Sequence, residues 1–237
     1  MSRMVCGKNA VKEILNTNPS SIEKILLQTE INDILSLIKK NNVKFEIVGK
    51  NKLNTITSEN HQGVVAYATD YKYYSLNDII SKENKSLIIV LDGLKDPHNL
   101  GAILRTCEAT KVDGVIIPKN RSVRLNETVS KVSTGAIELV KVVEVVNLSQ
   151  TLEKLKDYGY WVVGAEHEET SQNYWDMKYD MPTVLVIGSE GEGISRIVKE
   201  KCDFLVDIPM NGKINSLNAS VSTAIIIYEI RRQQRFL

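Results

Sequence analysis

From Ser86 onward the chain alternates short apolar runs with stretches of helical periodicity, and few architectures accommodate that order. Leu87 to Leu91, Val115 to Ile117, Val140 to Val146, Trp161 to Val163, Val184 to Ile187 and Phe204 to Ile208 are short and mostly β-branched, as strands buried on both faces of a parallel sheet are. Helical spacing fills the intervals at Leu100 to Ala109, Asn126 to Gly135, Leu148 to Tyr158, Ile194 to Lys199 and Leu217 to Arg232. The order implies an α/β fold built on a doubly wound parallel sheet, whose ligands bind beyond the C-terminal ends of the strands.

The first 70 residues follow a smaller version of the same grammar. Helical periodicity at Asn9 to Leu15 and at Ile31, Ile34, Leu35 and Ile38 alternates with strands Ile25 to Leu27, Phe45 to Val48 and Val64 to Ala68, with a helical turn around Leu53. A polar stretch opening with Tyr71, Tyr73 and Tyr74 then reads as a linker. The expected division is an N-terminal module over 1–70, a linker over 71–85 and a larger domain over 86–237. The tyrosines suit stacking on RNA bases, and more simply packing against a domain surface.

Composition narrows the function classes. No apolar run approaches the roughly 20 residues that span a bilayer, and the N-terminus lacks a signal-peptide core, so a cytoplasmic protein without membrane partners is expected. Cys6, Cys107 and Cys202 lie far apart in apolar segments and read as small hydrophobes. With His61, His98 and His167 as the only histidines, no metal site is expected. A net charge of +1 excludes a blanket of positive charge, but a local patch is enough to meet phosphates. Candidates are Lys119 to Arg124, which carries Arg121 and Arg124, the cluster Arg231, Arg232 and Arg235, and Lys39, Lys40 and Lys44; each alone reads as a solvated face.

Three loops at expected strand ends carry unusual chemistry. In Asp92-Gly-Leu-Lys-Asp-Pro-His-Asn-Leu-Gly-Ala-Ile-Leu-Arg105, Asn99 stands where a helix N-cap belongs, and Gly101 leaves space beside Arg105 on the same helical face. That is a candidate pocket for an anion or a ribose. Gly188-Ser-Glu-Gly-Glu-Gly193 brings backbone close to a ligand, yet Glu190 and Glu192 repel phosphate and no Lys-Ser/Thr follows, so it is neither a P-loop nor a dinucleotide fingerprint. A neutral or cationic ligand, such as a sulfonium cofactor, fits better. The third loop, Asp207-Ile-Pro-Met-Asn-Gly-Lys-Ile-Asn-Ser-Leu-Asn218, leads into the last helix with Ser216 and Asn218 at its start, where a ligand meets free backbone N–H groups.

Asp96-Pro-His-Asn-Leu-Gly-Ala with Arg105, Gly188-Ser-Glu-Gly-Glu-Gly193, and Ile208-Pro-Met with Ser216-Leu-Asn-Ala-Ser-Val resemble, in order and spacing, the three motifs of the SpoU (TrmH-like) RNA ribose 2′-O-methyltransferases. Val5-Cys-Gly-Lys-Asn-Ala-Val-Lys-Glu-Ile-Leu15 and His61-Gln-Gly-Val-Val-Ala66 are similar to the substrate-binding domain of the family's 23S ribosomal RNA guanosine methylases. The resemblance implies a SPOUT fold with a deep trefoil knot, which periodicity does not show and which is rare among proteins. It further implies an L30e-like N-terminal domain and a homodimer formed through the knotted domain.

By the same resemblance, the backbones of Gly188, Ile208 and Leu217 hold the adenosine of S-adenosyl-L-methionine. Arg105 activates a ribose 2′-hydroxyl, while Asn99, Glu190, Ser216 and Asn218 position the nucleotide and hold Arg105. Arginine stays protonated in proteins, so an electrostatic role for Arg105 is favoured over a base. Arg121 and Arg124 then become candidate contacts to RNA phosphates. Methylation of transfer RNA, a ribosomal RNA methylase conferring thiopeptide resistance, and a catalytically silent RNA-binding assembly factor remain as alternatives.

Overall fold

The computed structural model of the protein describes residues 2–58, 60–213 and 216–235. Its contacts divide the chain into two units, Met1–Lys72 and Tyr73–Leu237.

The N-terminal unit runs β1 (Ser2–Cys6), α1 (Lys8–Thr17), β2 (Ile22–Leu27), α2 (Asn32–Lys40), β3 (Phe45–Ile47), α3 (Lys50–Ile56) and β4 (Val64–Thr69). Its sheet has the order β1-β4-β2-β3, with β4 antiparallel to β1 and β2, and β3 parallel to β2. Alternate residues serve opposite faces. Ile25, Leu27, Val64 and Ala66 pack with Val11 and Leu15 of α1 and Ile34 and Ile38 of α2, whereas Leu26 and Val65 pack with Leu53 of α3.

The larger unit runs β5 (Leu87–Asp92), α4 (Pro97–Ala109), β6 (Gly114–Pro118), α5 (Glu127–Ser133), α6 (Ala136–Leu139), β7 (Val142–Val145), α7 (Leu148–Asp157), β8 (Trp161–Ala165), β9 (Gln172–Asn173), β10 (Thr183–Gly188), α8 (Arg196–Lys199), β11 (Phe204–Asp207) and α9 (Ala219–Gln233). Its seven strands stand in the order β7-β6-β5-β10-β8-β11-β9, and each pairing is parallel. Ile88, Val90, Val184 and Val186 pack with Leu148, Leu152 and Leu155 of α7 and Val198 of α8. Helices α4, α5, α6 and α9 pack on one another as a separate layer. The chain order reverses between β5 and β10, and the crevice at such a switch point is where ligands bind.

Two expectations change. Residues 73–85, read as part of a linker, belong to the larger unit. The Tyr74 N–H donates to the Val142 carbonyl, the Leu125 N–H donates to the Tyr73 hydroxyl, and Ile79 is buried so closely over Gly114 that a Cβ there would fall 2.3 Å from its Cγ2. Tyrosines and isoleucine in this polar stretch therefore pack, whereas Tyr71 lies in the N-terminal unit with the Arg3 guanidinium 4.0 Å from its ring centre. The single helix expected over Asn126 to Gly135 is instead two short ones, because Thr134 and Gly135 adopt left-handed backbone at φ 51° and 91°.

Candidate active site

The first loop ends in a cap that the sequence reading misplaced. Asp96, not Asn99, caps α4: its side chain accepts from the His98 N–H, and Pro97 takes the first helical position, where its missing N–H costs nothing. Asn99 is thereby released from capping. It is 5% exposed and donates its Nδ2 to Glu190 Oε1 at 2.9 Å.

Asn218 is the N-cap of α9, and its amide works at both ends. Oδ1 accepts from the Ser220 N–H, while Nδ2 donates to Asn99 Oδ1 at 2.9 Å and to Glu190 Oε1 at 2.7 Å. Three loops remote in sequence thus meet in one closed set of hydrogen bonds. The Glu190 carboxylate sits at the N-terminal end of α9, where the helix dipole favours negative charge.

The glycine loop is held shut from three sides. Ser189 and Gly193 exchange two backbone hydrogen bonds, and a Cβ on Gly188 would lie 2.1 Å from the Gly193 carbonyl carbon, so no side chain fits there. On either side of β10, Asp92 Oδ2 accepts from the Ser195 N–H and Glu166 Oε2 from the Ile194 N–H, both at 2.8 Å. Sequence reasoning did not single out Asp92 or Glu166. Strand length was the available signal: Asp92 pairs with Gly188 in register, and Glu166 directly follows Ala165, the partner of Ile187.

Arg105 is exposed on α4, and no hydrogen bond joins it to Glu190 among the described residues. Six residues separate it from Asn99, which places it about 9 Å further along the axis and about 120° round the helix. The expected grip of Glu190 on Arg105 is thus replaced by its grip on two asparagines. Nor does Gly101 open a pocket beside Arg105. It is the point where α5 approaches α4, so closely that a Cβ would fall 2.7 Å from Val132 Cβ.

Ser216 and Leu217 are exposed just ahead of α9, and Ile208 follows β11; Ile214 and Asn215 of the same loop lie outside the described residues. Arg121 is exposed at φ 60°, and Arg124 pairs with Glu144 Oε1 at 2.8 Å. Their segment is tied to the first loop, since Val123 N–H and Ser122 Oγ both donate to the Leu94 carbonyl. Burial pushes the Cys107 thiol up and that of Cys202 up to about 12, so neither thiol is a ready nucleophile. Among the described residues no group of His, Cys, Asp and Glu could hold a metal ion, and no helix is long and apolar enough to cross a membrane.

Residues 86–228 match the SpoU rRNA Methylase family, and residues 4–74 match the RNA 2'-O ribose methyltransferase substrate-binding family. The chain belongs to the SpoU methylase family. A Staphylococcus saprophyticus protein assigned to the TrmH family of tRNA/rRNA methyltransferases is 47% identical over 99% of this chain and 97% of its own. One from Staphylococcus haemolyticus is 48% identical over 98% and 96%. Among solved structures, the SpoU methyltransferase AviRb of Streptomyces viridochromogenes, in complex with AdoMet, superposes with a TM-score of 0.78 at 24% identity over 99% of this chain and 91% of that one. An AdoMet-bound rRNA methyltransferase of Sinorhizobium meliloti gives 0.72 at 26% identity over 98% and 87%.

Membership makes this SpoU chain an RNA methyltransferase that uses S-adenosylmethionine. The residues at the switch point fit that cofactor. Gly188 ends β10 with the Gly193–Ile194 backbone packed where a side chain would stand, and the backbone groups of Ile208 and Leu217 find no hydrogen-bonding partner among the described residues. Asp92, Glu166 and Glu190 bring three carboxylates to the glycine loop and its neighbours, a charge that suits a sulfonium cation.

Proposed function

We propose that this SpoU methylase methylates a ribose 2′-hydroxyl of RNA, on a guanosine of 23S ribosomal RNA. The junction of Asn99, Glu190 and Asn218 carries the reading, because it gathers all three motif loops at the switch point of the sheet. The match of residues 4–74 to an RNA 2'-O ribose methyltransferase substrate-binding module supports ribose as the acceptor.

Gly188, Ile208 and Leu217 hold the cofactor through their backbones, and S-adenosylmethionine supplies an electrophilic methyl group. Asn99, Glu190 and Asn218 keep the loops in register around it, and exposed Ser216 meets the nucleotide. Arg105 lies on another face of α4 and acts separately. As a permanent cation it stabilises negative charge growing on the 2′-oxygen, while a substrate phosphate or water takes the proton. Arg121 and Arg124 contact RNA phosphates, Arg124 by exchanging Glu144 for the nucleic acid.

The C-terminal chain threads a trefoil knot and pairs with a second copy. Val221 and Tyr228, 46% and 48% exposed and seven residues apart on α9, support an apolar face for that homodimer. Ribose methylation is to be mapped in ribosomal and transfer RNA from cytoplasmic extracts of cells with and without the gene. A site lost from 23S RNA supports the target, a site lost from transfer RNA replaces it, and no lost site overturns the reading.

A further inference from the structure

An open cavity of about 520 Å³ lies wholly within the N-terminal unit, lined by Gln28, Lys50, Asn54, His61, Gln62 and neighbouring hydroxyls. Its hydrogen-bonding polarity can be read atom by atom. The Gly63 N–H donates to His61 Nδ1, so that nitrogen is the acceptor of a neutral ring and Nε2 carries the proton. Nε2 lies 2.9 Å from Asn54 Oδ1 and donates to it. Asn54 therefore has its oxygen engaged by protein and its NH2 group left over. Gln62 repeats the arrangement, with Oε1 accepting from the Lys8 N–H at 3.0 Å. Lys50 adds a cation that has no carboxylate partner among the described residues.

The pocket thus offers the NH2 groups of Asn54 and Gln62 and the Lys50 ammonium as donors, the oxygens of those two amides being engaged inside the fold, beside the Gln28 and Asn60 amides, which can donate as well as accept. A lysine beside a surplus of amide donors suits an anion rich in acceptors. We infer that this cavity seats a backbone phosphate of the RNA substrate, fixing the position of the nucleic acid on the N-terminal unit without reading its sequence. The inference rests on the RNA methyltransferase reading above and adds a contact site to it.

Two isosteric variants separate ligand binding from folding. Asn54→Asp and Gln62→Glu each keep the oxygen that the protein uses and turn the remaining donor into negative charge. The probe is a 23S ribosomal RNA transcript in filter-binding titrations of the full chain at several salt concentrations. Each variant is expected to weaken binding at least about tenfold, the low end for a bidentate or charge-assisted contact, with unchanged melting temperature and unchanged affinity for S-adenosylmethionine. Lys50→Ala is expected to lower the slope of log affinity against log salt by about one, as loss of one phosphate contact does. Wild-type affinity in both isosteric variants overturns the site. Weakened binding with an unchanged salt slope in Lys50→Ala overturns the phosphate and points to a base edge instead. If the wild-type chain itself neither binds nor methylates RNA, the functional reading fails rather than the pocket.

Discussion

Asn218 donates a side-chain hydrogen to Asn99 across 119 residues of sequence, at 2.9 Å, while both donate to the same oxygen of Glu190. The two asparagines stand at the starts of α9 and α4, so the bond ties the N-terminal ends of those helices together beneath the glycine loop.

Asn218→Asp isolates that tie. Aspartate caps a helix as well as asparagine does, so the bond from Ser220 N–H and the fold survive. The donors to Asn99 and Glu190 vanish, and two carboxylates face each other. Hydrogen bonds to charged groups contribute about 1.5–3 kcal/mol, so methyl transfer should fall about tenfold to a hundredfold. Turnover equal to wild type, at an unchanged melting temperature, would remove the junction from the mechanism.

Arg105→Ala should reduce kcat about a hundredfold to a thousandfold, the usual scale for removing one donor to a developing oxyanion. Arg105→Lys keeps the charge and should retain part of the rate with the same pH profile. A rate restored in Arg105→Lys only at high pH would identify residue 105 as the base. Full activity in Arg105→Ala would sink both roles.

The parallel strands were legible in the sequence because burial on both faces leaves continuous β-branched runs such as Leu87 to Leu91. The helix starts were legible only in part. Asp96 and Asn99 are both good caps three residues apart, and Pro97 decides between them because it belongs at the first helical position. The spacing of Gly101 and Arg105 suits a shared open face, yet a glycine inside a helix equally marks a helix crossing, and Val132 fills the gap. The Glu190 partners were hidden for another reason: Asn99 and Asn218 meet Glu190 only through sheet order, which sequence spacing does not encode.

Glu166 offers a test of the glycine loop that leaves the motifs untouched. Glu166→Ala removes the acceptor for the Ile194 N–H, loosening the loop on which Gly188 and Glu190 sit. Loss of a hydrogen bond to a charged acceptor should weaken S-adenosylmethionine binding about tenfold. Glu166→Gln keeps a carbonyl oxygen in reach and should recover most of the affinity. Calorimetric titration checks both; equal affinities in all three proteins would mean that the loop holds its shape without this clamp.

The C-terminal ends of the same two helices are tied by a different device. Arg231 of α9 is 1% exposed, and its guanidinium donates to the carbonyls of Thr110 and Lys111 at the end of α4, to that of Lys85 and to Gln234 Oε1. A cation there faces the negative end of the α4 dipole. Burial lowers its pKa, with the charge of Asp113 opposing that shift, and it stays charged because arginine starts so high. Arg231→Met keeps the volume but strips three backbone carbonyls of their donor, each costing about 1–3 kcal/mol if left unsatisfied. Allowing for water entry at this edge, a loss of about 3 kcal/mol lowers the melting temperature by about 6–12 °C in a chain of this size. Arg231→Lys should recover little, since one ammonium cannot span carbonyls that a planar fork reaches together. Both variants should bind S-adenosylmethionine normally at 25 °C, because the Asn99 and Asn218 ends of the helices are pinned independently. Thermal denaturation followed by circular dichroism reads the first effect and calorimetry the second; a melting temperature unchanged in Arg231→Met would show that Arg231 is not what fastens α9 to the end of α4.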